Sequence, residues 1–293
     1  MRLDVTRQSC HASDMLRVLV LLVSLAPLWV VGCLDGGTKP RFNSDTNPNA
    51  NSAPISLRTN FKIDENVRTR RTLFVNELLD GGRKIISTQE EAFINKVKRV
   101  DRFGTPTQIL RAYERYVVRV KQAGGEEKET RSALEGCEFE LTQLSDSVGV
   151  RLTSGEAKPT DYQKLIINGF DAALLPVNEV RLGDRWEIDA NEIPSLVGLL
   201  RSAGLSVERN DLSAEFYDLR GDDAHIAINW KVTGTIKLTS PIVFRLKGEL
   251  IVDTANKIVK EVTLEGGKTN SRGQALQQMK IHVLREKVES WYK

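Results

Sequence analysis

The last third of the chain alternates apolar and polar residues almost without interruption. Ile226, Ile228, Trp230 and Val232 alternate with His225, Asn229 and Lys231, and Ile242, Phe244, Leu246, Leu250 and Val252 with Arg245, Lys247, Glu249 and Asp253. After a turn at Thr254-Ala255-Asn256, Ile258, Val262 and Leu264 keep the same phase. Side chains on a strand point alternately to opposite faces, so this pattern predicts antiparallel strands with one dry and one wet face. Residues 274 to 291 fit two periods, because Met279, Ile281 and Val283 alternate while Leu276, Met279, Val283 and Trp291 nearly follow a helix. A strand is the reading adopted.

Residues 57 to 155 read mostly as strands. Leu73, Val75 and Leu79 recur at even spacing, Asp80-Gly81-Gly82 and Gly124-Gly125 mark turns, and Gly104 with Pro106 breaks the chain. A strand pair is expected over 134 to 141 and 148 to 152. Residues 88 to 102 stay open between strand and helix, since Thr88 and Glu91 form a capping-box pattern and Phe93, Val97 and Val100 have helical spacing.

The middle predicts helices. Thr160 opens a Thr-x-x-Gln box, Leu165, Ile166, Phe170, Ala173 and Leu174 share a face, and Pro176 stops a helix of about 15 residues. A second helix of about 12 residues runs to Ala203, with Pro194 in its first turn and Gly204 as its cap. Between them Gly183 and Asp184 turn the chain and send Trp186 and Ile188 to one side, which predicts a buried indole. The fold class is α+β, mainly antiparallel β: a curved sheet or half-barrel with two short helices on one face.

The N-terminus carries a different pattern. From Val18 to Val31 there are 14 uncharged, mostly apolar residues after Arg17, too few to cross a bilayer and right for an export signal. The run ends in Val30-Val31-Gly32-Cys33, which resembles the lipobox of bacterial lipoproteins. The resemblance implies a signal peptide over 1 to 32, a lipid on Cys33, and membrane attachment facing the periplasm, with Leu34 favouring the outer membrane. An ordinary signal peptide with a chance cysteine is the alternative. Asp4 and Asp14 make a poor cationic leader, and Met15 offers a second start. Residues 34 to 54, rich in Asn, Gly, Pro and Ser, read as a tether, so the domain spans 55 to 293.

The net charge is +3, and removal of residues 1 to 33 takes away three cations and two acids to leave +2. Without a dense basic patch, no nucleic-acid partner is expected. The one bias lies between Arg58 and Glu135, with 17 Lys or Arg against 12 Asp or Glu, read as a solvated strand surface or a weak attraction to anionic headgroups. Cys137 is the sole cysteine after the anchor, and alternation with Phe139 and Leu141 assigns it to the core rather than to catalysis.

Candidate chemistry is sparse. His225 and His282 are too few for a metal site, so no metal or cofactor is expected. Ser290 and Lys293 match Ser-x-x-Lys without companion motifs, and the pairs Glu90-Glu91 and Asp222-Asp223 read as solvated turns or caps. No catalytic residue is assigned. Two Leu-x-Gly hairpins, from Leu134 and from Leu246, suggest a duplicated half-sheet. The order of hairpin, capped helix, Val-x-Leu-Gly-Asp-x-Trp at 180 to 186, short helix and second meander resembles uncharacterised exported proteins carrying a Gly-Asp-x-Trp motif. A looser likeness is to the lipoprotein-localisation carriers, whose curved sheet forms an apolar cup. Two functions follow: a non-catalytic binding module for a lipid or acyl-bearing ligand, held between the helices and the Ile226 and Ile242 strands, or a structural or protein-interaction component of the envelope.

Overall fold

Period-two alternation, interrupted by β-bulges, runs through most of the twelve strands, and the strand Glu127–Arg131 alone is exposed along its whole length among the described residues. The computed structural model describes residues 52 to 291, apart from 80–81, 146, 168–170, 194–195, 198–199, 201–204 and 237–239. The expected signal segment, Val30, Val31, Gly32 and Cys33 of the lipobox-like stretch, and most of the expected tether lie outside the described residues.

The strands are β1 (Asn66–Leu78), β2 (Lys84–Val100), β3 (Pro106–Gln122), β4 (Glu127–Arg131), β5 (Glu138–Gln143), β6 (Val148–Ser154), β7 (Arg185–Ile188), β8 (Leu205–Arg220), β9 (Asp223–Ile236), β10 (Ser240–Asp253), β11 (Ile258–Asn270) and β12 (Ala275–Val288). They form one open antiparallel sheet in the order β6-β5-β3-β2-β1-β12-β11-β10-β9-β8-β7, with β4 folded back on β3. The chain starts at the centre, meanders to the β6 edge, crosses to the β7 edge, and meanders back until β12 pairs with β1. Residues 155 to 184 are therefore a strap that spans the sheet.

Two hydrophobic clusters fill the inner face. The larger gathers β7 to β12 with Leu57, Leu174, Val180, Leu196 and Leu200, and the smaller joins β2, β3, β5 and β6 to Leu165 and Ile167 of the strap. Full burial of an aliphatic side chain stabilises by about 1.5–3 kcal/mol, so these clusters carry most of the folding free energy. Cys137 belongs to the smaller one, 3 % exposed, with its thiol donating to the Ala133 carbonyl.

Several expectations change. Residues 88 to 102 fall mostly within β2, because Ser87, Gln89, Glu91 and Phe93 are all buried on the inner face and a helix would scatter them around its circumference. The helix expected from Thr160 is only the turn α1 (Pro159–Tyr162), followed after a gap by a 3-10 turn at Asp171–Leu174. Its apolar residues instead serve as a strap: Leu165 and Ile167, two apart, are both buried. Of the second helix, Leu196, Val197 and Leu200 are helical. β8, with Leu212, Ala214 and Phe216 inward, is a strand beyond those the sequence pattern predicts. The duplication fails, since Gly136 sits in a turn before β5 while Gly248 lies inside β10. Among the described residues no helix is long and apolar enough to cross a membrane.

Candidate functional site

The inner face is polar where the two clusters should meet. Register builds this seam in rows across β3, β2, β1 and β12. Tyr116, Glu91, Arg71 and Val283 make one row, Val118, Gln89, Leu73 and Ile281 the next, and Tyr113, Phe93, Thr69 and Arg285 the row on the other side. Each polar residue occupies an inward position of its strand and is fixed there by the pleat.

Glu91, 4 % exposed, is the hub. It accepts from Arg71 Nη2 at 2.6 Å and from Gln89 Nε2, and the Tyr116 hydroxyl also hydrogen-bonds to it. Burial works against the Arg71 charge, but Glu91 more than offsets this and holds the guanidinium above its ordinary value. Burial first, and the Glu91 charge second, push the Tyr116 phenol well above the tyrosine range. Burial likewise raises the Tyr113 phenol, against the opposing pull of Arg111. Both tyrosines therefore stay protonated at neutral pH, and the cluster presents fixed donors rather than a mobile proton.

Two groups in the seam are under-satisfied. Gln89 is 2 % exposed, and its Oε1 has no partner among the described residues. Donation from Nε2 to Glu91 fixes the amide orientation, because the flipped form would set Oε1 against a carboxylate. A buried orphan acceptor costs about 1–3 kcal/mol. Arg111, 5 % exposed, has no carboxylate partner there: it donates to Asn95 Oδ1 at 2.8 Å and to the Ile167 carbonyl at 3.3 Å, and lies 4.2 Å from the Phe93 ring centre. Arg71 pairs with Glu91, Arg285 with Asp171 and Lys268 with Glu77, so Arg111 leaves the seam one cation in excess.

The Arg71 side chain remains 38 % exposed. Beside it on the same face Leu73, Val118, Val120 and Ile281 are only half-buried, although their strand positions point inward. No protein-family model matches the chain, and no curated protein matches it.

The residues singled out in the sequence lie elsewhere. Gly183 (φ 89°) and Asp184 form a turn in which the Asp184 carboxylate accepts from the Arg181 amide at 2.7 Å. Gly183 and Asp184 also exchange backbone hydrogen bonds with Phe216. Trp186, 2 % exposed, donates its indole N–H to the Leu174 carbonyl at 3.0 Å. His225 sits against Glu249 at 2.6 Å and His282 against Glu261 at 3.2 Å, both outside the seam. Among the described residues no group of three or more His, Cys, Asp or Glu could hold a metal. Glu90-Glu91 is not a solvated turn. It lies inside β2, where the pleat sends Glu90 to Arg119, which lowers its carboxyl below the usual range, and Glu91 to the buried seam.

The sequence carries a signal for the seam that the expectations above do not use. Ser87, Gln89 and Glu91 stand in phase with Ile85 and Phe93, and Arg71 in phase with Leu73 and Val75. Polar residues in the apolar phase of a strand mark an inward polar site.

Proposed function

We propose that the protein is a non-catalytic binding module of the bacterial envelope. It is attached through a lipid at Cys33 to a membrane facing the periplasm, the outer membrane being favoured by Leu34. Its sheet curves into a half-barrel with short helices on one face, and it receives a ligand with an apolar tail and a small anionic head. The observation that supports this reading is the half-exposed Arg71 set beside the half-buried row of Leu73, Val118 and Ile281. The excess cation at Arg111 and the orphan acceptor of Gln89 favour a head that carries negative charge and a hydrogen-bond donor or bridging water.

The burial of the Ile226 and Ile242 strands argues against a ligand held between them and the helices. Ile226, Ile228, Ile242 and Phe244 are 0 to 4 % exposed and are packed by the chain itself. That closure favours the second reading, a structural or protein-interaction component of the envelope, for this half of the sheet.

Displacement of a fluorescent fatty acid by a long-chain fatty acid and by its methyl ester tests the proposal. A charge-assisted hydrogen bond contributes about 1.5–3 kcal/mol, so Arg71→Gln should weaken the acid by about 10- to 150-fold and leave the ester unchanged. Parent protein that takes up neither at micromolar concentration would leave the envelope-interaction reading.

A further inference from the structure

A basic and aromatic patch stands at the end of the sheet where β1 begins and β2 turns into β3. Phe103 is 45 % exposed and Ile63 60 %, and neither belongs to a hydrophobic cluster. Two guanidiniums lie over the Phe103 ring, with Arg58 Cζ 4.8 Å and Arg102 Cζ 4.6 Å from its centre. The turn that presents the ring is held firmly. Asp101 Oδ1 accepts from the Phe103 and Thr105 amides at 2.8 and 2.9 Å, and the Phe61 amide donates to the Gly104 carbonyl at 2.9 Å. Gly104 has φ +80°, a conformation that side chains rarely adopt, and a Cβ there would fall 2.0 Å from Asn60 Oδ1, so a substitution would strain the turn and displace the Asn60 side chain.

The charges around this patch are unbalanced. Lys96 and Lys98 share Asp64, and Glu65 is taken by Lys287. Arg58, Lys62, Arg99 and Arg102 have no carboxylate partner among the described residues. The described chain begins at Ser52, six positions before Arg58, and Lys257 Nζ ties the Ser56 carbonyl to the same end. The described chain thus enters the fold beside the patch.

We propose that this end of the domain docks directly on an anionic phospholipid bilayer. Phe103 and Ile63 enter the headgroup layer, and Arg58, Lys62, Arg99 and Arg102 meet lipid phosphates. An aromatic ring flanked by guanidiniums matches the bilayer boundary, where apolar depth lies directly beneath a layer of phosphates. An acidic protein surface would pair the cations and leave Ile63 and Phe103 without an apolar cover. The surface is separate from the Arg71 seam and does not depend on what the seam binds.

The test uses the full-length chain reconstituted in vesicles of phosphatidylcholine alone or mixed with phosphatidylglycerol. Phe103→Trp, and independently Ile63→Trp, report insertion as quenching by brominated lipid in excess of the parent chain. Excess quenching is expected in the anionic vesicles and is expected to fall at high salt. Each cation near an anionic surface contributes about fivefold in partitioning, so Arg58→Gln with Arg102→Gln should reduce docking by about 25-fold. No excess quenching from either reporter, or equal quenching in both vesicle types, would overturn the proposal.

Discussion

Trp186 shows how one side chain can couple distant segments. Its position in β7 faces inward, its indole N–H reaches the Leu174 carbonyl at the end of the 3-10 turn within the strap, and the turn at Gly183 and Asp184 sets the angle of approach. Trp186→Ala removes a large buried ring and strands the Leu174 carbonyl, and should cost about 3–5 kcal/mol in urea unfolding. Trp186→Phe keeps most of the apolar area, loses the hydrogen bond, and should cost about 1–3 kcal/mol. An alanine variant that unfolds at the parent's urea midpoint would show that the indole holds nothing together.

The strap is the element that most needs explanation, since a connection across a whole sheet face must satisfy its own polar backbone. Its apolar residues sit over the two clusters and its polar contacts fall at the seam. Ile167 accepts from Arg111, and Asp171 pairs with Arg285 through two bonds of 2.7 and 3.0 Å. The pair is largely shielded, with side-chain exposures of 16 and 8 %. Removing one partner of such a pair strands the other charge, so Asp171→Ala should destabilise by about 3–5 kcal/mol. Asp171→Ala combined with Arg285→Leu should recover most of that loss, because both charges leave the interior together. A double variant as unstable as the single one would show that the pair is not what fastens the strap.

At the scale of the whole molecule, the proposed attachment at Cys33 can be tested apart from folding. If Cys33 carries lipid, Cys33→Ser should move the protein out of the membrane fraction and abolish incorporation of a radioactive fatty acid. The shift should be large, because buried acyl chains contribute about 0.8 kcal/mol per CH₂. Unchanged membrane retention, together with a parent protein that takes up no acyl label, would dismiss the lipobox reading. The bilayer patch at Phe103 and Ile63 adds a second, weaker contact that this substitution leaves in place.

Local pattern alone determined the antiparallel strands of the last third, the inward phase of Ile226 to Val232 and Ile242 to Val252, the core position of Cys137 and the turn before Trp186. Period-two alternation is a property of neighbouring residues and needs no knowledge of partners. Only the tertiary structure decided that β12 pairs with β1, that residues 155 to 184 cross the sheet as a strap, and that Thr88 opens no helix. These depend on pairing between residues far apart in the chain, and such pairing overrides a capping pattern worth about 1 kcal/mol. The seam joins both levels. Its inward polar residues were written in the phase of β1, β2 and β3, but the register that sets Arg71 beside Glu91 and Tyr116, in the gap between two apolar clusters, exists only once the strands have met.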